Sequence, residues 1–445
     1  MVNILILSLL FLVILLLLTA FKRAKRRQHR PIPSPPGFPI IGNLHQLGEL
    51  PHQSLWKLSK KYGPVMLLNL GKVPTVILSS SETAKQALRD YDLHCCSRPS
   101  LAGGRELSYN NRDISFSPYN DYWKELRKLC TQELFSAKNI HSTQHIKDEE
   151  VKKLIVSIAE SASLKTPINL NKKCLALTVS IVCRIAFGVS FEGTVLSNDS
   201  FNKLIREAFE MLGSFSASDF IPYIGWIIDR FTGLQGRREK SDILLAGIET
   251  SAGTMAWTMA ELAKNPLVMR KVQSEIRNKF ENRELISFED IEQLHYLKTV
   301  IKETWRLHPP APLLLPREVM SEFEINGYTM QPKTQIHVNV WAIGRDPNTW
   351  KDPEEFLPER FIDSNIDTKG QNFELLPFGG GRRMCPAMYM GTTMVEFGLA
   401  NLLYHFDWKL PEGMKVEDMD MEEAPGLTVN KKNDLLLVPV KYLDN

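Results

Sequence analysis

The chain opens on an uncharged and mostly apolar stretch. From Met1 to Phe21 no side chain is charged, and sixteen of the residues are Leu, Ile, Phe or Val. At ~0.3–0.6 kcal/mol each they favour insertion into a bilayer by roughly 5–9 kcal/mol, and the run is long enough to cross one. Further along, apolar positions fall at helical spacing. "TVIKETWRLH" reads as an amphipathic helix that ends before Pro309. A second helix is expected from about Asp242 to Ala263, a third through "AMYMGTTMVEFGLANLLYHF" after Pro386, and a fourth around Trp123 and Arg127. No internal repeat or low-complexity tract interrupts the pattern. The chain reads as mainly α-helical with a small β region.

Charge changes the picture at the first run. Lys22, Arg23, Lys25, Arg26, Arg27 and Arg30 follow it with no acid among them, although the whole chain carries only +3. The remainder is therefore net acidic, which argues against a nucleic-acid binder. A cleaved leader carries its positive charges ahead of the apolar run. Here they come after it, so residues 1–21 read as a retained signal-anchor with the body on the cytosolic side. The sequon Asn198-Asp-Ser200 would then never be glycosylated. "PIPSPPGFPIIGN" (Pro31–Asn43) follows, with too many prolines to continue a helix, and reads as a stiff hinge.

The six cysteines form no C-x-x-C pair and no zinc spacing. They read as reduced thiols, five of them structural. Cys385 differs because of its loop, "PFGGGRRMCPA" (Pro377–Ala387). Three glycines allow close backbone approach to a bulky partner, and Arg382 and Arg383 add positive charge. Pro386 suits the first turn of a helix, which places Cys385 at a helix N-terminus that favours the thiolate. Such a thiolate could be a nucleophile, a metal ligand or a haem ligand. Gly391 stands where a phosphatase would need arginine. A protease would need a histidine partner, which the sequence leaves open. The loop favours a single-thiolate haem site.

Phe378-x-x-Gly381-x-Arg383-x-Cys385 resembles the haem-binding signature of the cytochrome P450 monooxygenases. Trp123-x-x-x-Arg127, "AGIETS" (Ala246–Ser251), Glu303-x-x-Arg306 and "PERF" (Pro358–Phe361) follow the family's order. The likeness is greatest to the plant microsomal A-type enzymes. It implies the P450 fold and haem b, with Cys385 as the axial ligand of the iron and Phe378 packed beside the sulfur. Ala387 stands where glycine is commoner. Trp123, Arg127, Arg383, Arg317 and Arg98 would meet the haem propionates. Thr250 would hydrogen-bond dioxygen and Glu249 would relay protons. Glu303, Arg306 and Arg360 would form a buried structural network. Ala246, Gly247, Ala311, Leu313, Leu314 and Leu427 would line a substrate pocket, together with the 100–120 loop and the 209–220 region.

No dinucleotide or P-loop motif is present, so the resemblance implies a separate electron donor, NADPH-cytochrome P450 reductase. Lys124, Arg127, Lys128, Arg382 and Arg383 would give it a cationic docking face. The implied organisation is anchor 1–21, basic stop-transfer and hinge 22–43, and monooxygenase domain 44–445, on the endoplasmic reticulum membrane. The substrate would be a lipophilic small molecule of plant specialised metabolism. The chain departs from the family where Phe220–Lys240 abuts "DILLAGIETSAG", because family members carry several dozen more residues there. That departure supports one alternative, a non-catalytic truncated isoform. A haem-thiolate dehydratase or isomerase is another.

Overall fold

The computed structural model describes residues 30–188, 217–220 and 246–442. The expected anchor, the basic residues before Arg30, the sequon and most of the 209–245 stretch lie outside them. No helix among the described residues is long and apolar enough to cross a membrane.

Helix α1 (Pro51–Tyr62) starts on a proline, whose missing N–H costs nothing at a first turn, and ends at Gly63 with φ +96. Strands β1 (Val65–Leu70) and β2 (Val73–Leu78) form a hairpin in register Val65↔Leu78. Helix α2 (Asp121–Leu129) is capped by Asn120, whose side-chain oxygen accepts the Trp123 N–H at 2.8 Å. The long helices α3 (Gln144–Ser163) and α4 (Leu170–Phe187) flank the two-residue strand β3 (Ile168–Asn169). Gly188, at φ +70, takes the left-handed cap of α4.

Helix α5 (Ala246–Lys264) carries "AGIETS", and α6 (Pro266–Lys279) follows after a single residue. The "TVIKETWRLH" helix is α7 (His295–Leu307), stopping ahead of Pro309-Pro310. Strands β4 (Arg317–Glu318), β5 (Phe323–Ile325), β6 (Tyr328–Met330) and β7 (Gln335–Val338) come next. The chain then forms the cysteine loop, helix α8 (Met388–His405), β8 (Phe406–Lys409) and β9 (Leu436–Lys441).

One sheet has the order β1-β2-β7-β4, with β2 and β7 parallel in register Thr75↔Gln335 through Leu78↔Val338. A second has the order β3-β9-β8. The main core lies among α3 to α8, and a second apolar cluster packs under the first sheet around Val76, Val338 and Leu88. The cysteine loop sits between the two, with Leu88 and Phe373 against Gly380. This is the mainly helical architecture expected, with small sheets to one side.

Two boundaries differ from expectation. Helix α8 starts at Met388, with Ala387 as its cap, so Pro386 precedes the helix instead of opening it. The Cys385 N–H already donates to Phe378 O at 2.9 Å, which closes the loop before helical bonding begins. The 100–120 stretch is also not wholly loop, since Ala102–Leu107 is helical.

Candidate functional site

The glycines of the cysteine loop are set by the backbone. Gly379 and Gly381 have φ +69 and +64, where a Cβ strains the chain. A Cβ at 381 would also lie 2.1 Å from Leu88 O and 2.5 Å from Asp92 Oδ1. The loop therefore closes directly onto the 86–95 segment. Asp92 is buried there and accepts from Arg317 Nη1 at 2.6 Å, Arg382 Nη1 at 2.9 Å and the Arg382 N–H at 3.2 Å. Arg317 Nη2 donates to Gly380 O at 2.9 Å. The arginine expected at a propionate thus braces the loop through an acid that sequence reading did not single out. Two adjacent arginines facing a third signalled the need for such a counter-charge, but no spacing pointed to residue 92.

Arg127 and Trp123 share a face of α2. Arg127 Nη2 donates to Met384 O at 2.7 Å, next to Cys385. Trp123 is buried, its Nε1 donates to Ile114 O at 2.9 Å, and the Arg383 guanidinium stacks 3.9 Å from its ring. Arg383 also donates to Cys96 O and Ser117 O, both at 2.7 Å, while its buried Nη1 has no hydrogen-bond partner. Arg98 donates to the carbonyls of Ser115, Leu315 and Pro316. Burial, followed by the neighbouring Arg383 and Arg317 charges, pushes the Arg98 guanidinium well below its ordinary value. Burial and neighbouring cations likewise bring Arg383 down to about 10, against the pull of Cys96 and Asp92.

Five guanidiniums thus converge beside the loop, and Asp92 takes only Arg317 and the outer Arg382 in ion pairs. Cations in such excess, Arg98 and Arg317 buried, Arg127 and Arg383 half-buried, and Arg383 with an open donor, suit a bound group that brings carboxylates. Of the five side chains expected to form a cationic docking face, Arg127 and Arg383 turn inward and Arg382 and Lys124 pair with Asp92 and Asp121. Lys128 stays on the surface, so that face is less cationic than the sequence suggests.

At the Cys385 thiol the helix cap and burial act in opposite directions. Burial pushes it up, against the Ala387 N–H and Arg127, which pull it down. Burial outweighs both, and a bound cation is what would favour the thiolate. Phe378 packs edge-on against Trp305 of α7, with ring centroids 5.2 Å apart. All six cysteines are free, and among the described residues no three His, Cys, Asp or Glu side chains gather as a metal site. A single-thiolate ligand fits that donor set.

On α5, Glu249 is buried and accepts from Thr428 Oγ1 at 2.8 Å. The next residue, Thr250, is half-buried, and its carbonyl accepts from Thr254 Oγ1 at 2.8 Å. Among the described residues Gly247 meets only Val182, 3.8 Å from where a Cβ would stand. Ala246 is the first described residue of the helix. Leu427 packs against the cluster of Val179, Cys183 and Ile248, and the Val429 N–H to Pro310 O bond (3.0 Å) brings the 426–430 turn beside Ala311. Leu313 and Leu314 diverge from that group. Leu313 joins the cluster around Leu68 and Phe220, and Leu314, at φ +51, lies against Gly379.

Glu303, Arg306 and Arg360 meet. Arg306 Nε and Nη2 donate to the two oxygens of Glu303 at 2.7 and 2.8 Å, and Arg360 Nε donates to Glu303 Oε1 at 3.0 Å. Arg306 also donates to the carbonyls of Gly344, Pro353 and Glu355, tying α7 to the segment that leads into the cysteine loop.

The cytochrome P450 family matches this chain in two stretches, residues 32–240 and 229–438. Cytochrome P450 71B26 of Arabidopsis thaliana is 70% identical over 495 aligned positions, covering 99% of both chains. Cytochrome P450 71B34 of the same plant is 67% identical over 499 positions and the whole of both chains. Both alignments are longer than the 445-residue chain, so these relatives carry residues that it lacks. The family match breaks across 229–240, where the sequence abuts. With the thiolate loop, its arginines and these matches together, the chain belongs to the cytochrome P450 family: it is an oxidoreductase, a monooxygenase whose cofactor is haem.

Proposed function

We propose that this monooxygenase inserts one oxygen atom from O2 into a lipophilic small molecule of plant specialised metabolism. It would draw electrons from NADPH-cytochrome P450 reductase and be held on the endoplasmic reticulum by residues 1–21. The observation that carries the reading is the cysteine loop, with Arg127 and Arg383 turned inward beside Cys385. Cys385 Sγ would ligate the iron, with Phe378, Gly381 and Ala387 shaping its approach. Arg98, Arg127, Arg383 and Trp123 would hold the haem carboxylates, and the open Nη1 of Arg383 suits that role. Arg317 would support them from behind, through Asp92. When bound, haem supplies the redox-active iron at which dioxygen is reduced.

Monooxygenation consumes two electrons and two protons, and one oxygen atom leaves as water. Glu249 would carry protons in and the Thr250 hydroxyl would orient the molecule that receives them. Ala246 and Gly247 would leave space beside them, and Ala311 and Leu427 would offer apolar contacts to the substrate. Lys124, Lys128 and the exposed Leu129 on α2 would remain available to the reductase.

The break across 229–240 supports a second reading, a truncated isoform that does not turn over. The absorption spectrum of the reduced, CO-bound protein in microsomes separates the two, with Cys385→Ala as control. A strongly red-shifted Soret band that the variant loses is expected. Its absence, with the protein present in the membrane, would establish the second reading. NADPH oxidation with added reductase then distinguishes a monooxygenase from a dehydratase or isomerase.

A further inference from the structure

A stripe along α5 faces the turn at residues 426–430, at positions four apart. Glu249 accepts from Thr428 Oγ1 at 2.8 Å. Gly253 lies against the Asn430 amide, so closely that a Cβ there would stand 2.5 Å from Asn430 Oδ1. Trp257 Nε1 donates to Val429 O at 2.9 Å. Residues four apart share a helix face, so one face of α5 grips one turn at three levels. The turn is also fixed from its other side, because the Val429 N–H donates to Pro310 O at 3.0 Å and the Ala424 N–H donates to Asn430 O at 2.8 Å.

We propose that Thr428, itself held by Asn430, is the positioning residue that aims Glu249 for proton delivery. The inference rests on the reading of Glu249 as the proton carrier. A buried carboxylate needs hydrogen-bond donors, and Thr428 is itself buried. A threonine hydroxyl has one proton and two lone pairs. Asn430 Nδ2 donates to that hydroxyl oxygen at 3.1 Å, which turns its single proton toward Glu249 Oε2. The order is Asn430 to Thr428 to Glu249, and it sets the carboxylate's orientation without either residue touching the reacting atoms. Gly253 is what lets the amide close in.

The same turn carries Leu427, which packs against the cluster of Val179, Cys183 and Ile248, the last of which precedes Glu249.

The test compares Thr428→Val, Thr428→Ser, Glu249→Gln and the Val/Gln double variant as full-length, haem-loaded proteins in microsomes with reductase. NADPH oxidation is measured in H2O and D2O, and urea unfolding is followed on the same proteins after purification. Glu249→Gln is expected to slow oxidation by at least about tenfold and to raise the solvent isotope effect. Thr428→Val should come within about threefold of it, Thr428→Ser within about twofold of the parent, and the double variant should be no slower than Glu249→Gln. In urea the two sites should couple by at least about fivefold in the unfolding constant.

A parental rate and isotope effect in Thr428→Val, or losses that multiply in the double variant, would overturn the proposal. If Glu249→Gln itself changes neither rate nor isotope effect while the urea coupling persists, the proton-carrier reading fails and the contact is structural only. Should Thr428→Val not fold, Thr428→Ala is read in its place. Loss of haem in both, with Thr428→Ser intact, makes the hydroxyl a folding requirement and also overturns the proposal.

Discussion

Arg306 shows how much a single side chain can join. It is 1% exposed and uses all three guanidinium nitrogens, toward both oxygens of Glu303 and toward the carbonyls of Gly344, Pro353 and Glu355. Gly344 lets its segment lie close to α7, since a Cβ there would stand 2.3 Å from the backbone carbonyl oxygen of Arg306. Lysine offers one ammonium with three donors and no planar fork, so it cannot reach the same acceptors. Arg306→Lys and Glu303→Ala are each expected to lose roughly 3–5 kcal/mol, because each leaves buried polar or charged groups unpaired. Urea unfolding would measure this. A loss under about 1 kcal/mol for Arg306→Lys would mean that charge alone, without the fork, holds the network. Elsewhere in the molecule, Asp92 has the same importance for the cysteine loop, as the buried acid shared by Arg317 and Arg382.

Helix α8 leaves the cysteine loop and runs through the main core with nearly every side chain from Thr393 to Tyr404 buried. A charge inside such an element opposes its packing, and Glu396 is one. Burial raises its carboxyl to about 7, against the pull of Lys298. An ordinary unfolded glutamate titrates near 4.3, so between that value and about 7 the folded chain binds the extra proton. The stability this group contributes is fully present below the unfolded value and is lost as pH rises through about 7. Glu396→Gln is therefore expected to stabilise the protein at pH 8 by up to roughly 3 kcal/mol and to leave it nearly unchanged at pH 4. Thermal unfolding at the two pH values checks this. Equal shifts at both would show that volume or hydrogen bonding, not protonation, governs the site. Helix α5 differs from α8 in that its stripe of Glu249, Gly253 and Trp257 faces a turn, so its positioning depends on sequence far away.

At the scale of the whole molecule, legibility follows sequence distance. Glu303 and Arg306, three apart on an apolar-periodic helix, could be read as partners because helical spacing itself places them together. The glycines and arginines around Cys385 could be read for the same local reason. The pairing of β2 with β7 across Thr75↔Gln335 could not, nor could Asp92 under Arg317, or Thr428 on Glu249. Those contacts depend on how distant segments pack, and no period or short motif encodes them. The abutment after Lys240 is the same kind of problem in reverse: the sequence shows that something is missing, and only the rest of the fold says what its loss costs. Helix α5 buries Ile248, Ala252 and Met255 and packs on α4, α7 and α8, so residues that extend this region should bury further apolar surface against them. Placing the corresponding segment of a 70% identical relative after Lys240 is expected to raise the urea unfolding slope by roughly a tenth, because that slope scales with the surface exposed. Thermal midpoint and haem retained through gel filtration should rise with it. If slope, midpoint and haem retention all stay where they are, the shorter connection already closes the helical body, and the residues carried by the relatives serve substrate choice instead of the fold.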